Sequence, residues 1–299
     1  METTRKYRLT EETITINNVT LHRIEYLRAI GDYVEAGDYG GFVESEKNLS
    51  QEGECLILHE AKVYGNAVVK DDAAVFGDAQ VSGKAVVREN AQVYGYAKVS
   101  GMAIIDDRAK VYERAEVYGY ALVEDEAQVY DKAKVFGNAK IFGKAIVREK
   151  AQVFGDAKVS GEAIIDDNAQ VYERAKVYGN AWIEDNAQVF DTAKVYDNAR
   201  VYDHAKVYGN TEVYNYARVY DHAEVHGNAK VYDNAEVKDH AKVYGNAEVY
   251  EYAEVKDDAQ VFDDAVVCGN VIVYDDTKVY SYAKVYDDAK VYGKEGVCI

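Results

Sequence analysis

From Ile57 onward the chain carries an aliphatic residue at every sixth position. All 41 positions from Ile57 to Val297 are Val or Ile, with no insertion anywhere. Two residues before each stands a small residue, nearly always Ala (Ala61, Ala67, Ala73, Ala79), with Cys55, Thr211, Val271 and Thr277 as mild variants and Glu295 as the terminal failure. Within Ala61-Lys62-Val63-Tyr64 the character alternates apolar, polar, apolar, aromatic. That is period two, and it predicts a short strand of four residues with Ala and Val inward and Lys and Tyr outward. The next two positions are turn chemistry, as in Gly65-Asn66, Asp71-Asp72 and Gly77-Asp78, since Gly, Asp and Asn tolerate the left-handed region at least cost. Glu89, Glu113, Glu149, Glu173, Glu251 and Ser281 take the first turn slot and should be less comfortable there.

A short strand and a two-residue corner, repeated without interruption, bury an inner face only by coiling. These hexads, such as Val63-Tyr64-Gly65-Asn66-Ala67-Val68, resemble those of the hexapeptide-repeat proteins. The resemblance covers residues 55–299. It implies an all-β fold, a single-stranded left-handed parallel β-helix forming a triangular solenoid of three hexads per coil; the left hand comes from the resemblance, not from the period. Forty-one hexads then give roughly 14 coils, a rod of about 65 Å at the ~4.8 Å spacing of neighbouring strands.

Residues 1–54 lack the period and form a separate N-terminal cap. Thr13-Ile14-Thr15-Ile16 and Val19-Thr20-Leu21 alternate around Asn17-Asn18, which predicts a β-hairpin with a two-residue turn. With the Gly37-Asp38-Tyr39-Gly40-Gly41-Phe42 segment, the hairpin should plug the first coil. These glycines form neither a P-loop nor a GxGxxG pattern, so a phosphate cradle is disfavoured. Gly37 to Ser45 followed by the hexads is similar to the YdcK-like proteins, which are described by their fold as acyltransferases. The C-terminal Gly296-Val297-Cys298-Ile299 shows no comparable cap, which suggests end-to-end pairing or a partner there.

Positions three hexads apart should stack, so outward columns can be read from the numbering. One column runs Tyr118, Phe136, Phe154, Tyr172, Phe190, Tyr208, His226, Tyr244, Phe262, Tyr280; another runs Tyr178, Tyr196, Tyr214, Tyr232, Tyr250. Stacked rings stabilise neighbouring strands, and a contiguous aromatic strip also marks a contact face. Tyr118, Tyr172, Tyr178, Tyr196, Tyr208, Tyr214, Tyr232 and Tyr250 are therefore the candidate partner-binding residues. His204, His222 and His240 form a third column, each preceded by an aspartate (Asp203, Asp221, Asp239). No catalytic residue is assigned; the resemblance to hexapeptide-repeat enzymes, some of which use histidines to bind metal or as the base of acyl transfer, makes these three the candidates for a base. Side chains in a straight line do not converge tetrahedrally without rearrangement, and Asn168, Asn186, Asp258 and Asp276 fill the same column elsewhere, so a solvated polar ladder is expected and no metal site.

Acyltransferases of the hexapeptide-repeat class typically carry a loop excursion, and the unbroken register leaves no room for one. Lys84–Ala139 and Lys144–Ala199 also match at 40 of 56 positions with an offset of 60, ten hexads but not a whole number of coils. Such a phase change should scramble a constellation assembled across coils.

Composition narrows the remaining classes. The chain has no proline, 28 tyrosines and 48% apolar residues, enough for an extensive core. A formal charge of −18 disfavours direct binding to nucleic acid and to anionic membranes. No run approaches the ~18 apolar residues of a membrane span, and the N-terminus has no apolar signal region. Cys55, Cys268 and Cys298 are too few for a disulfide framework and read as reduced thiols, so a soluble cytoplasmic protein is expected. The leading expectation is a non-catalytic structural or protein-binding rod without cofactor, possible as an end-to-end dimer or side-by-side trimer. The alternatives are an acyl-CoA-dependent acyltransferase, using His204, His222 or His240 as base, and an acidic nucleic-acid mimic that inhibits a DNA- or RNA-binding protein. The mimic is weakened by the basic residues interspersed with the acids, such as Lys194, Arg200, Lys206 and Arg218. Outward threonine arrays of the ice-binding kind are absent.

Overall fold

The computed structural model describes residues 5–293. Glu295, the Gly296–Ile299 end and Cys298 lie outside the described residues. The fold is an all-β parallel β-solenoid of about 14 turns built on three sheets. Cα proximity groups the chain into two compact units, Met1–Lys144 and Ala145–Ile299, each taken in turn.

The first unit opens with a hairpin of β1 (Tyr7–Ile16) and β2 (Val19–Tyr26). Asn17 and Asn18 both sit at positive φ, 49° and 64°, as a two-residue turn matched to strand twist requires. Both strands run further than the alternation suggests. A register shift between Leu9 and Thr13 breaks the period, and the polar run through Glu11-Glu12 hides the strand beyond it. β3 (Tyr39–Val43) pairs antiparallel with β2 and parallel with the first-turn strand Lys62–Val63, converting a hairpin into a parallel stack. Gly40 and Gly41 permit that conversion. A Cβ on Gly40 would lie 2.5 Å from the Ile57 carbonyl oxygen, and one on Gly41 2.5 Å from that of Ala61. Gly40 and Gly41 therefore serve close backbone approach, and Gly37 a positive φ of 97°.

Beyond the hairpin, the first unit stacks strands such as Lys62–Val63, Gln80–Val81, Lys98–Val99, Glu116–Val117 on one face. Leu56–Ile57, Ala74–Val75, Gln92–Val93 and Lys110–Val111 stack on a second, and Val68–Val69, Val86–Val87, Ile104–Ile105 and Leu122–Val123 on a third. Each strand pairs with the one three hexads further along the chain, so three hexads complete one turn. The second unit repeats the scheme, with faces running from Gln152–Val153, Ile146–Val147 and Lys158–Val159 in the same three-hexad steps.

Regular pairing covers two residues per hexad rather than four, because the corner turn takes in the aromatic position and the next Ala, as where the Ala67 amide donates to the Tyr64 carbonyl at 3.4 Å. The flanking amides remain engaged all the same. Lys98, Ser100 and Met102 donate to the carbonyls of Ala115, Val117 and Gly119 at 2.9, 2.9 and 2.6 Å, always seventeen residues ahead. Inside, the Ala and Val positions are fully buried from Ala61 to Val279. Thr211 and Thr277 are tolerated because their hydroxyls donate to the carbonyls of Tyr208 and Tyr274 at 2.5 and 2.6 Å.

The corners account for part of the acidity. Asp203, Asp221, Asp239 and Asp257 occupy the first turn slot at φ 56–58°, and one carboxylate oxygen of each accepts the amide of the equivalent residue one turn on, at 3.2–3.3 Å. Asp125 and Asp191 do the same for Gly143 and Gly209, at 2.8 and 2.9 Å. Glycine fills other slots with φ near 70–79°, where a Cβ would press on the next turn: at Gly101 it would stand 2.8 Å from the Gly119 nitrogen. Glu89, Glu113, Glu149, Glu173, Glu251 and Ser281 also adopt positive φ, at a strain on the order of 1 kcal/mol each.

The first coil is closed by polar groups with full partners. Lys6 is completely buried, and its Nζ donates to the carbonyls of Glu52 and Cys55 and to Cys55 Sγ at 3.3, 3.1 and 3.0 Å. Burial, only partly offset by Lys6, holds the Cys55 thiol above its ordinary pKa. Cys55 and Cys268 are free thiols. Among the described residues no helix is long and apolar enough to cross a membrane.

Asp203→Ala removes the acceptor for the Asp221 amide while keeping a Cβ at positive φ. It should lower stability by about 1–2 kcal/mol in urea unfolding, with Asp203→Asn losing clearly less. Equal losses would contradict the carboxylate–amide account.

Candidate contact surface: aromatic ladders and a histidine corner

Each aromatic ladder follows from the stacking rule, because an outward ring one place after the core Val recurs once per turn on the same face. In the second unit Tyr178, Tyr196, Tyr214, Tyr232 and Tyr250 stack without a break at centroid spacings of 4.8–4.9 Å, with planes within 7° of parallel. A second ladder of that unit contains Phe154, Tyr172, Phe190, Tyr208, His226, Tyr244, Phe262 and Tyr280, spaced 4.8–5.3 Å. His226 takes the place of a tyrosine within the stack, and burial there lowers its pKa, favouring the neutral ring. In the first unit Tyr118 stacks on Phe136 at 4.9 Å.

The rings are half-buried, packed against each other by their faces and open to solvent at their edges. Their hydroxyls are tied to the flanking outward column: Tyr196 donates to Glu212 at 3.5 Å and Tyr232 to Glu248 at 3.4 Å. Those carboxylates also pair with Lys194 and Lys230 at 2.7 and 3.1 Å. The strip around Tyr196–Tyr232 therefore presents phenolic edges beside charges that are locally neutralised. Desolvation first, and then nearby carboxylates, raise the phenol pKa values of Tyr196, Tyr214 and Tyr232.

A third set of ladders lies outside the two columns expected from the sequence. Phe76, Tyr94, Tyr112 and Tyr130 stack in the first unit at 4.7–4.8 Å, and Tyr202 and Tyr220 in the second at 4.8 Å. The signal is present in the three-hexad step from Phe76, but Arg148, Asp166 and Glu184 occupy later places in that numbering and disguise it. Also unanticipated are the exposed corner tyrosines, Tyr96, Tyr120, Tyr216, Tyr252 and Tyr282. So is a cleft of about 490 Å³ lined by Ile30, Tyr33, Leu56, Leu58 and Phe76, with Glu54 and Asp72.

The duplicated segment corrects one expectation. A constellation spanning coils is not scrambled by the change of phase, because its members stay one turn apart within each copy. Arg88 pairs with Asp106 at 2.5 Å in the first unit, and Arg148 pairs with Asp166 at 2.5 Å in the second. Each aspartate is buried and also accepts the amide of the residue after it, Asp107 or Asp167, at 2.9 or 2.8 Å. The Arg88 guanidinium holds the Asp106 carboxyl below its ordinary pKa. The duplication thus copies surface columns intact, and its phase carries no weight against a catalytic site.

His204, His222 and His240 stand together at one exposed corner of the second unit, with centroids 4.9 and 5.1 Å apart. The preceding aspartates direct one carboxylate oxygen each to the amide of the next turn, as described above. Among the described residues no group of three or more His, Cys, Asp or Glu side chains is arranged to hold a metal ion. No protein-family model matches the chain, and no curated protein matches it. The class defined by the fold and surface is accordingly a parallel β-solenoid bearing aromatic ladders.

Desolvation first, and then neighbouring charge and hydrogen bonding, raise the pKa of Tyr112 and Tyr220 to about 12, and a hydrogen bond to Cys268, then desolvation, raises that of Tyr250 to about 12. A phenol with a raised folded-state pKa favours the fold fully below the unfolded value, near 10, and loses that contribution as pH rises toward the folded value. Tyrosinate absorbance should lag behind that of free tyrosine as pH passes 10, and the urea midpoint should fall over pH 10 to 12. A pH-independent midpoint over that window would refute the desolvated ladders.

Proposed function

We propose that this solenoid is a non-catalytic binding protein whose tyrosine ladders form the contact surface for a protein partner. The observation that carries the reading is the five-ring stack Tyr178–Tyr196–Tyr214–Tyr232–Tyr250, an unbroken aromatic strip flanked by paired charges. Aromatic residues with few rotatable bonds give large contact area at low entropic cost, and tyrosine hydroxyls add polar contacts at the rim. The flanking Lys194–Glu212 and Lys230–Glu248 pairs leave the strip without a strong local field, which suits a mixed apolar and polar protein surface better than a polyanion or a polycation. Part of the acidity has a structural use, because corner aspartates accept backbone amides; this weighs against the nucleic-acid mimic. The chain acts in this reading without acyl-CoA or any other cofactor.

The test is affinity capture from the native host with the wild-type chain and with a Tyr196→Ser, Tyr214→Ser, Tyr232→Ser variant, folding being checked by far-UV circular dichroism. A specific partner should be retained by the wild type and lost by at least about tenfold in the variant, the scale expected when central interface aromatics are removed. Undiminished capture by a folded variant would refute the assignment.

A further inference from the structure

The histidine corner has a spacing that the polar-ladder reading does not use. A straight stack cannot surround an ion with three imidazoles, but chelation by two neighbours is a less demanding requirement. A metal–nitrogen bond of about 2.0–2.1 Å puts the centre of a bound imidazole roughly 3.2 Å from the ion, so two such rings at ~100° stand about 4.9 Å apart. His204 and His222 are 4.9 Å apart, and His222 and His240 5.1 Å. The backbone has thus already set the ring separation of a cis-chelate. What remains is rotation of the rings to converge their nitrogens. All three side chains are exposed, so neighbouring packing does not lock their rotation, and His204 is already tilted 37° from His222.

We propose that His204, His222 and His240 form a chelating ladder for one late first-row divalent ion, Cu(II), Zn(II) or Ni(II), held by two adjacent imidazoles and completed by water. Nitrogen donors of this kind suit these metals, with Cu(II) bound most tightly. His222 belongs to both possible pairs, and the ion occupies either His204–His222 or His222–His240. Occupation of one pair uses the shared ring, so the ladder takes one ion rather than two. Asp203 and Asp221 each commit one oxygen to the amide of the next turn, which leaves the imidazoles as the principal protein ligands. The other histidines have no such neighbour: His22 contacts the Thr10 carbonyl, His59 the Gly77 amide, and His226 lies between Tyr208 and Tyr244.

The shared ring makes the test asymmetric. The untagged full-length chain is titrated calorimetrically with Cu(II) and separately with Zn(II), at mildly alkaline pH and in a buffer that does not coordinate metal. One ion per chain is expected. His204→Ala and His240→Ala each retain one intact pair and should lose about twofold in affinity, whereas His222→Ala leaves two imidazoles a full two turns apart and should lose about a hundredfold with the chelate. A loss in His222→Ala at least about tenfold greater than in either other variant supports the ladder. A smaller difference, equal losses in all three, or no saturable binding by the wild type overturns it.

Discussion

The coils of this solenoid depend on the donation of backbone amides to carbonyls seventeen residues ahead. That bond exists only if each turn contains the same number of residues as the last, and it fixes the three-hexad step between stacked positions. The Ala and Val positions supply the interior that makes coiling favourable, but the amide register decides which outward side chains meet. A ring, carboxylate or imidazole is placed by arithmetic rather than by its own packing preferences. For this reason small sequence differences between turns become surface features with sharply defined spacing.

The corner aspartates show how a demand of the backbone sets a property of the whole chain. A first-slot residue must accept positive φ, and its amide needs a partner that the sheet ladders do not supply. Aspartate answers both, since it tolerates the conformation and its carboxylate reaches the amide one turn on. Repetition of this solution contributes to the net charge of −18. Acidity in a solenoid of this kind therefore reports on corners before it reports on partners.

The solenoid is legible in the sequence because its period is uninterrupted and its inward positions are chemically narrow, as Ala61, Val63 and their successors show. The ladders through Tyr196 and Tyr172 are legible by the same step. Features escape where chemistry changes along a column or where the period is absent. Arg148 and Asp166 interrupt the numbering that begins with Phe76 and Tyr94, which hides that ladder. The register shift between Leu9 and Thr13 conceals the length of β1. The Lys6–Cys55 contact joins residues 49 apart with no repeat to relate them. The partner of the tyrosine strip is a different kind of unknown, since a flat array of similar rings carries little information about what lies against it.

The direction of the amide bonds has a mechanical consequence. They run along the stacking direction, so a pull that peels the last strand from its stack breaks the bonds of that strand before those of the next. Force is met serially, and each release frees the residues of one turn. Peeled in this way, the structure yields in small uniform increments, like thread drawn from a spool.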